Sequence, residues 1–311
     1  MKYSKTPTGI AEQVDLLIER GMAVPSREDA ELWLASVGYY RMSAYWLPHE
    51  EVAPEGKVRS KRFKAGTHFN SIRDTYIFDR RLRLLLMEAI ERIEIHLRSR
   101  WTYRLVHKYG AHAHLDHSLF GDGLRHSEQL VRLARSVDSS KETFVIHYKG
   151  KYTEPYSPPL WAATELMSLG ELSKWFQATK DSSVKSAVAA DLGLPSGQVT
   201  EGVLQVLSFV RNICAHHARL WNRRILKRIP KINHWNNDLV LVEHKGQRQN
   251  DNHIYNVLIV LLRLLDHQRT DSSFRMRLRG LLEGVSSEHR RDMGFPGDWR
   301  QRPAWVQTGQ R

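Results

Sequence analysis

IRDTYIFDRRLRLLLMEAIERIEIHLRSRWTYRLVHK, residues 72–108, decides the fold class. Ile72, Tyr76, Leu86, Ile90, Ile93, Leu97 and Trp101 fall on one face at the helical period, so the stretch predicts a long helix with one side in a core. Asp79 and Arg83 lie within that apolar stripe, four residues apart. They read first as an ion pair that lets both groups sit half-buried. The second reading makes them support for a site in the bundle. Glu94 and Arg98 on the same stretch are further candidates for such support.

Helical signals continue on both sides, and alternating strand patterns are scarce. Ile10–Glu19 predicts a short amphipathic helix stopped by Gly21. Ser26 reads as an N-cap, with Asp29 three residues on, for a helix over Ala30–Val37 that Gly38 ends. Pro48–Gly66 reads as a loop with a short hairpin. Beyond the long helix come a His- and Gly-rich loop (Gly110–Gly123) and a helix near Arg125–Val137. Breaks follow at Pro155, Pro158 and Pro159. Further helices are expected over Leu160–Ala178, Val184–Leu192, Gln198–Arg224, Asn252–His267 and Phe274–Glu283. Phe295–Trp305 reads as a strap packed on the bundle, and most of the nine Trp as packing residues. The expected architecture is all-α: an N-terminal helical appendage (1–66), a helical core (67–270), and a C-terminal helix and tail packed on the core (271–311).

Composition narrows the function classes. Hydrophobic residues make up 41% of the 311, enough for a core, which excludes a disordered chain. Cys214 is the one cysteine, which excludes an internal disulfide. Lys and Arg number 47 against 34 Asp and Glu, a net charge of +13 that points to a polyanion, nucleic acid being the common case. The longest apolar run, Val257–Leu262, is too short to span a bilayer. Met1–Thr8 is polar and contains Pro7, unlike a secretory signal, and the single thiol points to the cytoplasm. Phosphate-loop, dinucleotide, zinc-helix, paired-cysteine and nucleophile-elbow motifs are absent. His112, His114 and His117, with Asp116, have metal-like spacing, but no further ligand set completes a site. Neither a metal nor a cofactor is expected.

VLQVLSFVRNICAHHARLWNRR, residues 203–224, carries the chemistry. On one continuous helix, Val203, Val206, Leu207, Val210, Cys214, His217 and Trp221 share the core face. Asn212, His216, Arg219 and Arg223 follow on the far side, with Arg211 at the border. That reading packs His217 and leaves His216 on the polar face, where it titrates near neutrality and Asn212 orients its ring. No acidic residue occurs between Gly202 and Asn237, while Arg211–Lys231 contains seven basic ones. Histidine moves the proton of a 2′-hydroxyl or leaving oxygen, and arginine stabilises the charge on the phosphorus in flight. Trp235, in an Asn-rich loop, is a candidate to stack on a base.

Arg211-Asn212-Ile213-Cys214-Ala215-His216 is similar to the Arg, four to six residues, His motif of HEPN-domain ribonucleases. The flanks resemble the abortive-infection Abi family, of the AbiD/AbiF-like kind. The resemblance runs through EQVDLLIERG (12–21), GYYRMSAYWLP (38–48), YIFDRRLRLLLMEAIERIEIHLR (76–98), PPLWAATELMSLGELSKWF (158–176), RNICAHHARLWNR (211–223) and MGFPGDW (293–299). It implies a HEPN-type helical bundle and a metal-independent endoribonuclease of bacterial phage defence. It makes Arg211 and His216 the catalytic pair and Asn212 the orienting residue, with two protomers meeting in a composite dimer site. A toxin–antitoxin arrangement, with a small RNA or other antitoxin, is also implied. Arg219, Arg223, Arg224 and Lys227 become candidates for tracking RNA. Two rival readings use the same residues: a non-catalytic RNA-binding or sensing module, and a scaffold that recognises a protein.

Overall fold

Strong caps and apolar stripes turn most of this chain into helix. The structure is a computed structural model that describes residues 2, 6–52, 59–244, 246–268 and 273–306. Among the described residues there are thirteen α-helices and two antiparallel hairpins, the all-α architecture that the sequence predicts. The chain divides between Arg83 and Leu84 into two compact units. The expected boundary at 270/271 and residues 307–311 of the tail lie outside the described residues.

The first unit contains α1 (Ile10–Glu19), α2 (Arg27–Val37), α3 (Tyr39–Trp46), the hairpin β1 (Glu50–Val52) and β2 (Arg59–Phe63), and the beginning of α4 (Phe69–Tyr109). The Ser26 hydroxyl accepts the Asp29 N–H at 3.2 Å, so the predicted cap forms. Gly38 does end α2, but it is also a joint. At φ +91° it turns the chain directly into α3, a helix absent from the sequence reading. That helix buries Met42, Tyr45 and Trp46. Tyr45 donates its hydroxyl to Asp79 at 2.7 Å and accepts from Arg83 at 3.1 Å, and Arg83 pairs with Asp79. Burial and the Asp79 charge push the Tyr45 hydroxyl far above its ordinary pKa, so it stays protonated.

The second unit takes the rest of α4, then α5 (Gly123–Ser139), α6 (Thr143–Lys151), α7 (Leu160–Ala163), α8 (Leu169–Ala178), α9 (Ser182–Asp191) and α10 (Gly197–Ala215). After these come the hairpin β3 (Leu241–His244) and β4 (Gln247–Asn250), then α11 (Ile254–Gln268), α12 (Ser273–Glu283) and α13 (Ser287–Arg291). The single helix expected over Leu160–Ala178 is broken. Ser168 and Glu171 form a capping box that starts α8 afresh, and a 3-10 turn, Thr164–Leu166, fills the gap. Helix α11 is apolar almost all round and buried from Ile254 to Leu262. Asp238, 1% exposed, holds the loop before it in place: it accepts from Arg263 Nε at 2.9 Å and from the Ala304 N–H at 2.7 Å. The C-terminal strap packs as expected, with Phe295 4.8 Å from Tyr255 and Trp299 4.9 Å from Trp305, ring centre to ring centre. No helix among the described residues is long and apolar enough to cross a membrane.

Candidate active site

Helix α10 carries the Arg211–His216 string and is fixed along its length. The Ser196 hydroxyl caps it by accepting the Val199 N–H at 3.2 Å. Its apolar face, from Val203 through Leu207 and Val210 to Cys214, is buried. A Cβ on Gly202 would lie 2.3 Å from Pro230 Cγ, so glycine there lets the chain after the motif return across the helix. Asn250 holds that returning segment by donating to the Pro230 carbonyl at 2.8 Å.

The continuous helix to Arg224 does not exist, because α10 stops at Ala215. His216 is the C-cap and His217 takes the left-handed conformation at φ +55°. The His217 N–H then donates to the Cys214 carbonyl and the Ala218 N–H to the Ile213 carbonyl, both at 3.0 Å. This is the paired helix-ending motif that usually places glycine at the left-handed position. Histidine is among the non-glycine residues that tolerate it. Two expectations fall with the helix. His217 is exposed rather than packed, and Asn212, His216, Arg219 and Arg223 do not form one helix face. Asn212 and His216 still belong together: both are exposed, and the His216 N–H donates to the Asn212 carbonyl at 3.0 Å.

Arg211, half-buried, points to a second set of charges. Its positive charge acts on Glu94 of α4, as does that of Arg98. Burial raises the Glu94 carboxyl above its usual range while the two arginines pull it down. The Arg98 guanidinium donates to Glu94 at 3.0 Å, to the Met167 carbonyl at 2.9 Å and to Glu165 at 3.1 Å. Its buried Nε has no hydrogen-bond partner. The structure thus joins Arg211 to Glu94 and Arg98. It gives Asp79 and Arg83 to Tyr45 in the first unit. Glu165 and the Met167 carbonyl were missed in the sequence. The signal for them was the Ser168-x-x-Glu171 capping box, which frees the preceding turn to meet Arg98.

The basic residues past the motif lie on an irregular segment. Arg223 donates to the Arg219 carbonyl at 3.3 Å and Arg224 to the Asn252 side chain at 3.4 Å, and Lys227 is exposed. Trp221 packs as expected, stacked on His289 with ring centres 4.9 Å apart. Trp235 is buried at 5% exposure, so it does not offer a face for base stacking. In the histidine loop, His114 is wholly buried and its Nε2 lies 2.9 Å from the Ser157 hydroxyl. Asp116 instead caps the turn at His117 by accepting the Ser118 N–H at 2.9 Å. Among the described residues no group of three or more His, Cys, Asp or Glu is placed to hold a metal ion.

The profile of a protein family described as Abi-like protein matches residues 32–222, which takes in α4, the turn at Thr164–Leu166 and the whole of α10 through its histidine end. No curated protein and no solved structure matches the chain at a significant level.

Proposed function

The chain belongs to the Abi-like protein family, and from that membership we propose that it is an endoribonuclease of a bacterial abortive-infection system. The observation that carries the reading is the end of α10. There a half-buried arginine tied electrostatically to Glu94 precedes, by five residues, a solvent-exposed histidine with an exposed asparagine one turn back. His216 takes the proton of an RNA 2′-hydroxyl, or returns one to the leaving 5′-oxygen. The 2′-oxygen bonds to phosphorus as the phosphorus–O5′ bond breaks, leaving a 2′,3′-cyclic phosphate and a 5′-hydroxyl. Arg211 offsets the charge that gathers on the phosphate oxygens, and Asn212 orients the imidazole. Glu94, with Arg98, sets where the Arg211 guanidinium rests. Every role in this scheme is filled by a side chain, so it needs no metal.

Arg219, Arg223, Arg224 and Lys227 extend the positive surface along the RNA backbone, and binding weakens with salt accordingly. One chain offers one His216, and a second copy of the chain supplies the partner for a composite site. A small RNA or other antitoxin restrains the enzyme. The net charge of +13, spread well beyond the motif, favours a second reading in which the same surface binds or senses RNA without cutting it. His216→Ala separates the two. The exposed side chain is removed without disturbing the core, so the variant folds and binds RNA but does not cut it. A variant that cuts at the wild-type rate removes His216 from the site.

A further inference from the structure

Away from the motif, α5 and α8 stand apart over part of their length and enclose a cavity of about 480 Å³. That is within the range that holds small organic ligands, about 300–1,000 Å³. Its floor is apolar, made by Leu133, Leu166, Met167 and the indole of Trp175. Trp175, 1% exposed, is fixed by edge-on packing against Phe120 and His126 at 5.1 and 5.3 Å, so the wall is preformed.

The polar groups around this floor do not cancel. Asp122 is used in capping α5 and pairing with Arg125, and Glu171 is used in the capping box of α8. Glu128 is then the one rim carboxylate outside those local pairs, facing the cations Arg132 and Lys174. The rim therefore favours an anion. Deeper in, Gln129 is 8% exposed and donates to the Arg125 carbonyl at 3.3 Å, while its buried Oε1 has no partner. A buried acceptor left unpaired is costly, and an N–H on a ligand relieves it. A flat apolar body, an N–H donor on its edge and an anionic group at one end are together the chemistry of a nucleotide with an amino-bearing base. We propose that this cavity binds a purine mononucleotide. Met167, on its floor, also supplies the carbonyl that Arg98 donates to, so the occupant sits against the segment that anchors Arg98.

Titration calorimetry of the full chain with AMP, GMP, adenosine and inorganic phosphate tests the assignment. AMP or GMP is expected to bind once per chain, with adenosine and phosphate each weaker by about tenfold or more. Lys174→Glu and Arg132→Glu, both at exposed positions, weaken nucleotide binding by about tenfold, and Ser136→Trp, which fills the cavity, removes it. Each variant is first shown to melt as the wild type does. Arg211→Ala leaves nucleotide binding unchanged, so the result stands whether or not the chain cuts RNA. Three results overturn the proposal: no binding of either nucleotide at about 5 mM, a concentration far above useful affinity; binding that survives Lys174→Glu and Ser136→Trp; or binding lost in Arg211→Ala, which places the nucleotide at the motif instead.

Discussion

Helix α4 carries two acid–arginine pairs at the same four-residue spacing, and they do different things. Asp79 and Arg83 are closed: their side chains are 0% and 6% exposed, and the Tyr45 hydroxyl bonds to both. Glu94 and Arg98 are open: their side chains are about one-seventh exposed, Glu94 also feels Arg211, and the Arg98 Nε has no partner. A pair whose bonds all turn inward holds an element in place. One that reaches a third charge, itself next to an exposed histidine, can place that charge for a ligand. Spacing on a helix does not separate the two cases, and what meets the pair from other elements does.

The sharpest way to break this contrast is Asp79→Ala. It strands the buried Arg83 charge and is expected to cost about 3–5 kcal/mol of stability. Denaturant unfolding measures the loss, and the folded fraction should still cut RNA at the wild-type rate. A variant that folds normally but cuts slowly would move this pair into the active site. His114 offers a second closed group. Burial, with His112 and His126 beside it, lowers its pKa to about 4. The unfolded chain, with a value of about 6.5, therefore takes up the proton first as the pH drops. Stability is full above pH 6.5 and falls between there and pH 4, by up to about 3 kcal/mol. His114→Gln should flatten that slope in melts recorded across the window.

Glu94→Gln probes the open pair. It should slow cleavage by about tenfold, or roughly 1.4 kcal/mol of barrier, with RNA affinity and melting temperature nearly unchanged. An equal loss of stability and activity would make Glu94 structural, like Asp79. The smallest effect belongs to the helix end. His217→Gly relieves the left-handed conformation and should be neutral or slightly stabilising, whereas His217→Val should cost about 1–2 kcal/mol. If valine is harmless, the helix end seen at Ala215 is not held by its backbone motif.

The fold was legible wherever one pattern ran long. The stripe from Ile72 to Trp101 gave α4, and Ser26 with Asp29 gave the start of α2. Elements set by a single residue's backbone were not legible. Gly38 reads as a stop but continues into α3, and Ser168 starts a new helix inside an apolar run. His217 ends α10 with no glycine to announce it, and that end overturned the expected face of Asn212, His216, Arg219 and Arg223. The string Arg211–His216 was visible from the start. Its tie to Glu94 depends on α4 and α10 meeting, and Trp235 looked available because a polar loop hides how deeply its indole is buried. The α5–α8 cavity left no mark in the sequence, since its residues are drawn from separated turns.

The most direct test of the central claim is cleavage of total bacterial RNA by the purified protein in EDTA, with wild type and His216→Ala side by side and the product ends mapped. The account predicts cuts by the wild type alone, leaving 2′,3′-cyclic phosphates and 5′-hydroxyls. Equal cutting by both proteins, or cutting that chelator abolishes, would contradict it.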